Sequence, residues 1–153
     1  MTGPPVRVWT VSVVVLRGDG AAAQTLLMRR TGSNAGTWCQ VAGRIEPGEP
    51  AWRAALRELR EETGLSPDSL WSADYLERFY EPACEVVSVV PVFVARVPID
   101  AEPVLNDEHD AYRWLPLQDA VDVVSFGGQR DMLAWIGREF VDRAPNPYLR
   151  IAT

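Results

Sequence analysis

The spacing of apolar positions changes along the chain, and each change marks an element. Residues 6–16 are rich in Val with Trp9 and Thr10, and 25–30 form a second apolar run, with Arg17-Gly18-Asp19-Gly20 between them. Two such runs around a Gly-rich turn predict a hairpin-like pair of strands. After a polar loop at 31–36, residues 37–41 predict a short strand leading to Gly43. From about Pro50 to Thr63 the period becomes helical. At about 100° per residue, Ala51, Trp52, Ala55, Leu56 and Leu59 gather on one arc, the stripe a helix turns toward a core. Pro50 suits the first helical position, where a missing N–H costs nothing, and Gly64 suits the positive φ wanted just past the last turn. Downstream, 75–80 and 85–97 predict two strands, the second Val-rich enough to be buried, with Pro91 marking a bulge or an edge. Residues 99–107 read as a loop, 112–115 as a strand and 117–121 as a helical turn. A closing helix at about 128–143 carries Met132, Leu133, Ile136, Phe140 and Val141 as its stripe, with Ser125 placed to cap it. This order suits a sheet with helices on both faces.

The polar arcs of the 50–63 helix bring in chemistry. Glu58, Glu61 and Glu62 share one arc, and Arg53, Arg57 and Arg60 take the remainder. A solvated face of Glu and Arg pairs is the ordinary meaning of such a pattern. Here, however, Glu58 and Glu62 are like charges one turn apart, in the half of the helix where the macrodipole opposes negative charge. A bound cation removes both penalties. Carboxylate oxygens with no neighbouring His or Cys favour Mg²⁺, with Mn²⁺ able to substitute, over zinc.

The spacing from Gly43 through Glu49 to Arg57-Glu58-Leu59-Arg60-Glu61-Glu62-Thr63-Gly64-Leu65 resembles the signature box of the Nudix hydrolases at every defined position. The resemblance implies an α/β fold, an α/β/α sandwich around a central mixed β-sheet. It also implies divalent-metal dependence and hydrolysis of a nucleoside diphosphate linked to another group. By the same resemblance Glu58, Glu61 and Glu62 bind metal with the Gly43 carbonyl, Glu61 also counts among the catalytic residues, and Glu49 pairs with Arg57 to brace the loop against the helix. Glu46 is an accessory candidate. Outside the box, Glu108 in Asn106-Asp107-Glu108-His109-Asp110 ends a loop before a strand, where a side chain can be aimed back at a site. That segment, with Tyr112, Trp114 and Leu115, is similar to the Nudix enzymes acting on dihydroneopterin triphosphate and dATP, which implies Glu108 as base or further ligand. His109 reads as a structural or substrate-contacting residue.

Composition narrows the partners. The chain has 153 residues and a net charge of −6, with no lysine, which argues against duplex nucleic acid. Phosphate contacts therefore fall to arginine, backbone N–H groups or metal. Arg30 and Arg44 are the candidates for phosphate, and Phe79 and Tyr80, unranked by sequence, for stacking on a base; alternation sends Arg29 and Arg30 to opposite faces. Trp38 reads as a core residue under the box loop. No apolar run is long enough to span a membrane, and Met1-Thr2-Gly3-Pro4-Pro5 lacks the pattern of a signal peptide. The reading is one domain over 1–153, cytoplasmic, with Cys39 and Cys84 reduced and partly buried. A homodimer stays open, since Val-rich strands and six tryptophans suit an interface as readily as a core. The alternative to a hydrolase is a sensor that binds a nucleotide without turnover, for which an intact box is the wrong signature.

Overall fold

A computed structural model describes residues 2–153; Met1, at the start of the segment read for a signal peptide, lies outside the described residues. The mixed sheet has strands β1 (Val6–Arg7), β2 (Thr10–Arg17), β3 (Gln24–Arg30), β4 (Trp38–Cys39), β5 (Val41–Arg44), β6 (Ser69–Glu81), β7 (Val86–Arg96), β8 (His109–Leu115) and β9 (Arg150–Ile151). Its order is β4-β3-β2-β7-β6-β9, with β1 added to β7, β5 to β2 and β8 to β3. β1 and β2 run parallel to β7, and the other pairings are antiparallel. Helix α1 spans Ala51–Thr63, α2 spans Leu117–Val123 and α3 spans Gly127–Ile136.

The alternation along β2 shows how the layers form. Val11, Val13 and Val15 meet Ala54, Ala55 and Leu59 of α1 in one core. Val14 and Leu16 turn to the other face and meet Met132, Leu133 and Ile136 of α3, with Leu117 and Ala120 of α2, in a second core. Two apolar faces, each covered by helix, make the α/β/α sandwich that the box resemblance implies. Each fully buried side chain of this kind contributes about 1.5–3 kcal/mol. Among the described residues, no helix is long and apolar enough to cross a membrane.

Several boundaries differ from the sequence reading, each for a local reason. The 6–16 run is two strands, because β1 follows Val87 and Ser88 whereas β2 follows Val92 to Arg96. Pro91 lies between those stretches and opposite Leu76, at a register shift in β6, where its missing N–H is tolerated. The 37–41 strand is likewise two pieces: β4 pairs with β3 and β5 with β2, so the chain changes partner at Gln40. β6 begins at Ser69 rather than 75, its first half hidden by a bulge where Asp74 has φ 51°. Pro50 is the residue before α1 and has extended backbone, with φ −63° and ψ 141°, while Gly64 closes the helix at φ 68°. The last helix leaves α geometry at Gly137–Asp142 for a π turn. Ser125 does not cap α3; Phe126 precedes it, and its N–H donates to Gln129 Oε1 at 3.2 Å. Trp38 packs into the core beneath α3, not under the box loop. Cys39 is buried, but Cys84 is exposed; both are free thiols.

Candidate active site

The loop from β5 to α1 is held by one guanidinium. Arg57 Nε and Nη2 each donate to Glu49 at 2.9 Å, in the forked geometry that suits a carboxylate. Nη2 also donates to the Arg44 carbonyl at 2.8 Å, and Nη1 to Glu58 at 2.7 Å and Glu61 at 3.3 Å. Glu49 in turn accepts the Glu46 N–H at 2.9 Å. The Arg57 hydrogen bonds, then the Glu46 N–H, hold the Glu49 carboxyl down at about 2. Glu46 is exposed, with its own carboxylate 3.9 Å from Arg57. The brace between loop and helix is therefore a network of charge-assisted bonds rather than an ordinary surface pair.

Behind the brace, β5 and α1 press two carboxyls together. Gly43 pairs with Val11, and a Cβ on Gly43 would overlap the Glu58 carboxylate. Only glycine leaves that space. One turn on, Glu62 is 2% exposed. It accepts the backbone N–H of Ala42, but its Oε2 has no partner. Burial first, then the charges of Glu108 and Glu58, push the Glu62 carboxyl up to about 9. Burial also raises Glu58, against the pull of Arg57. An unpaired buried carboxylate oxygen costs free energy, and a cation is the partner that would offset it.

The donor set is all oxygen, one oxygen is unsatisfied, and Gly43 leaves room for the Glu58 carboxylate, so these residues fit a hard divalent cation. Among the described residues, no three acidic, histidine or cysteine side chains already converge as a ligand set. Arg57 explains this, since it draws Glu58 and Glu61 toward itself.

Glu108 is tied to the loop after β3: its carbonyl accepts the Thr31 N–H at 3.0 Å, and its N–H donates to Asn106 Oδ1 at 3.1 Å. Its charge acts on both Glu62 and Glu58. Arg30 acts on Glu62, Cys39 and His109 while its Nε donates to the Ser33 carbonyl at 3.0 Å. Arg29 instead pairs with Asp110 at 2.7 Å, so alternation separates the two arginines. Arg44 lies over the Trp9 ring, 5.7 Å from its centre. The Tyr80 hydroxyl donates to Glu85 at 2.6 Å across the β6–β7 turn. His109 is buried, 3.7 Å from the Cys39 sulfur, and burial lowers its pKa.

Two features escaped the sequence reading. One is the Ala42 N–H on Glu62, which no side-chain pattern encodes. The other is a polar cluster of Ser12, Gln40, Glu77 and Gln129, contributed by separate elements.

Comparison with known proteins bears on the family and the fold. The model of the NUDIX domain matches residues 6–143. A protein of Myxococcus xanthus named octanoyltransferase is 39% identical over 130 residues, covering 84% of this chain. The chain spans 36% of that protein's length. The pig bis(5'-nucleosyl)-tetraphosphatase [asymmetrical] is 32% identical, covering 75% of this chain and 79% of the relative. The crystal structure of a C. elegans Ap4A hydrolase binary complex superposes with a TM-score of 0.72 at 23% identity, covering 84% of this chain and 94% of the other. With a domain model along most of its length and a relative about a third identical across most of both chains, the chain belongs to the Nudix hydrolase family.

Proposed function

We propose that the protein is a divalent-cation-dependent pyrophosphohydrolase that cleaves a phosphoanhydride bond of a nucleoside polyphosphate. The observation that carries this reading is Glu62, buried with an unpartnered carboxylate oxygen beside Glu58 and the cleared face of Gly43. Family membership supports the metal requirement, and Mg²⁺ is the ion that the all-oxygen donors favour. Glu58, Glu61, Glu62 and the Gly43 carbonyl would hold it. When bound, the cation supplies charge neutralisation at the phosphoryl oxygens and acidifies water.

The chain's own residues do the rest. Arg57 and Glu49 fix the loop so that the Gly43 carbonyl and the α1 carboxylates keep one geometry, which matters because small misplacements are costly. Glu108 accepts a proton from the attacking water as its oxygen bonds to phosphorus. The bridging P–O bond breaks, and the leaving phosphate takes the electron pair. Arg30, whose charge reaches Glu62, and Arg44 are the groups offered to phosphate oxygens. For a nucleoside triphosphate the products are a nucleoside monophosphate and pyrophosphate.

The tetraphosphatase name of the pig relative adds dinucleoside tetraphosphates to the substrates, beside dATP and dihydroneopterin triphosphate. Acyl transfer finds less support, because the chain spans only 36% of the octanoyltransferase it resembles. The test is phosphate release from these compounds in the presence of pyrophosphatase, with Mg²⁺ or with EDTA. Turnover that needs the cation is the expected result. Silence across the panel with tight ligand binding would replace hydrolysis by sensing.

A further inference from the structure

The opposite face of β5 carries a second polar assembly that hydrolysis of the phosphates does not use. Along this strand Val41 and Gly43 face α1, so Ala42 and the preceding Gln40 face α3. Gln40 is held on three sides. Its Nε2 donates to Ser12 Oγ and to Glu77 Oε1, each at 3.1 Å, and its Oε1 accepts from Gln129 Nε2 at 3.1 Å. The far oxygen of Gln129 accepts the Phe126 N–H. Gln40 therefore has both amide hydrogens committed and its position fixed. Glu77 is not saturated: Oε1 receives Gln40, and among the described residues its other carboxylate oxygen accepts no hydrogen bond. Burial raises this carboxyl to about 7.

Aromatic side chains flank the cluster. Phe79 lies two residues beyond Glu77 on β6, hence on the same face, and is 48% exposed. Phe126, which precedes the first turn of α3 and bonds Gln129, is 61% exposed. A carboxyl acceptor held by a fixed amide, with an exposed aromatic ring two residues along the same strand face, is what a heteroaromatic base with an amino group requires. It can stack and give its amino hydrogen. Along the chain only Val41 and Ala42 separate Gln40 from Gly43, and Ala42 ties the two sides together by pairing with Ser12 and donating to Glu62.

We propose that Glu77, oriented by Gln40, is the specificity-determining residue of a base subsite, where it accepts a hydrogen bond from the amino group of a 6-aminopurine whose ring stacks on Phe79. This deepens the polyphosphate hydrolase reading and rests on it for the placement of the phosphates. An ordinary structural cluster would affect stability but would not distinguish an amino group from an oxo group.

The experiment measures binding of the α,β-methylene analogues of ATP and ITP with Mg²⁺ at pH 8, using the wild type, Glu77→Gln and Phe79→Ala. Methylenediphosphonate serves as the base-free control. The two nucleotides differ at position 6, amino against oxo. In Glu77→Gln the amide oxygen can keep the Gln40 bond and present its NH₂ to the ligand, turning an acceptor into a donor. The wild type is expected to bind the ATP analogue about tenfold more tightly than the ITP analogue, and Glu77→Gln to reverse that preference. Phe79→Ala, an exposed position that leaves the fold intact, should weaken both nucleotides and not the control. An unchanged ATP-to-ITP ratio in folded Glu77→Gln overturns the subsite, even if ATP is hydrolysed. Selective binding that inverts in the variant, with no hydrolysis of ATP or of any compound in the substrate panel, supports the subsite and overturns the hydrolase reading.

Discussion

Replacing Glu62 by glutamine separates the two roles of the buried carboxyl. Glutamine keeps the oxygen that accepts the Ala42 N–H and removes the ionisable group whose Oε2 has no partner. In the cation-free protein Glu62 titrates at about 9, against 4.5 for an unperturbed glutamate. Between those values the folded state keeps a proton that the unfolded state releases. The stability this proton supplies is fully present below about pH 4.5 and is lost as pH rises through about 9, at up to about 1.4 kcal/mol per pH unit. By pH 7 the loss is about 3 kcal/mol at most, and relaxation around the group reduces it. The glutamine variant has no such slope. In EDTA, urea unfolding of Glu62→Gln should match the wild type near pH 4.5, exceed it by about 2 kcal/mol at pH 7 and exceed it further at pH 8.5. The same variant should lose cation-dependent turnover. Equal stability at all three pH values would refute the reasoning about burial, and undiminished turnover would refute the assignment to the cation site.

Three further outcomes follow from the same geometry. Gly43→Ala places a methyl where the flexible end of Glu58 lies; Glu58 should swing aside, leaving urea stability within about 1 kcal/mol of wild type while kcat/KM falls about 100-fold. Retained activity would mean that Gly43 and Glu58 do not form the cradle. Glu108→Gln should lower kcat about 100-fold with little change in KM, and steady-state kinetics showing less than a threefold drop would remove Glu108 from the mechanism. Native protein treated with iodoacetamide at pH 8 should be labelled at exposed Cys84 alone, because Cys39 is buried with its thiol pushed up to about 11; peptide mass mapping that finds Cys39 labelled before unfolding would contradict this.

The legible parts of the chain were those written in local patterns. The α1 stripe and the Gly64 stop come from helical spacing and from a backbone conformation that glycine alone adopts freely, so both could be read directly. The β2 alternation gave the strand but not the fact that its odd and even valines serve different cores. β1 and β2 separate at Val8 and Trp9 because β7 offers each a different stretch, a long-range pairing with no local mark. The bulge at Asp74 breaks the period-two signal and hid six residues of β6. Trp38 packs on the α3 side and not under the box loop, because the face a strand residue takes depends on its pairing register, which a two-residue strand does not reveal. In the site, the box carboxylates and the Glu49–Arg57 brace follow from one continuous motif. The Gln40 cluster draws on β2, β6, α3 and the step between β4 and β5, so no window of sequence contains it.

Glu58, Glu61, Glu62 and the Gly43 carbonyl would together hold the divalent cation. The most direct measurement is an anomalous difference map from crystals grown with Mn²⁺ and a non-hydrolysable triphosphate analogue. A peak is expected within about 2.5 Å of a Glu62 carboxylate oxygen, with Glu58 turned away from Arg57 toward it. Peaks confined to other surfaces, with Glu62 Oε2 still unpartnered, would contradict it.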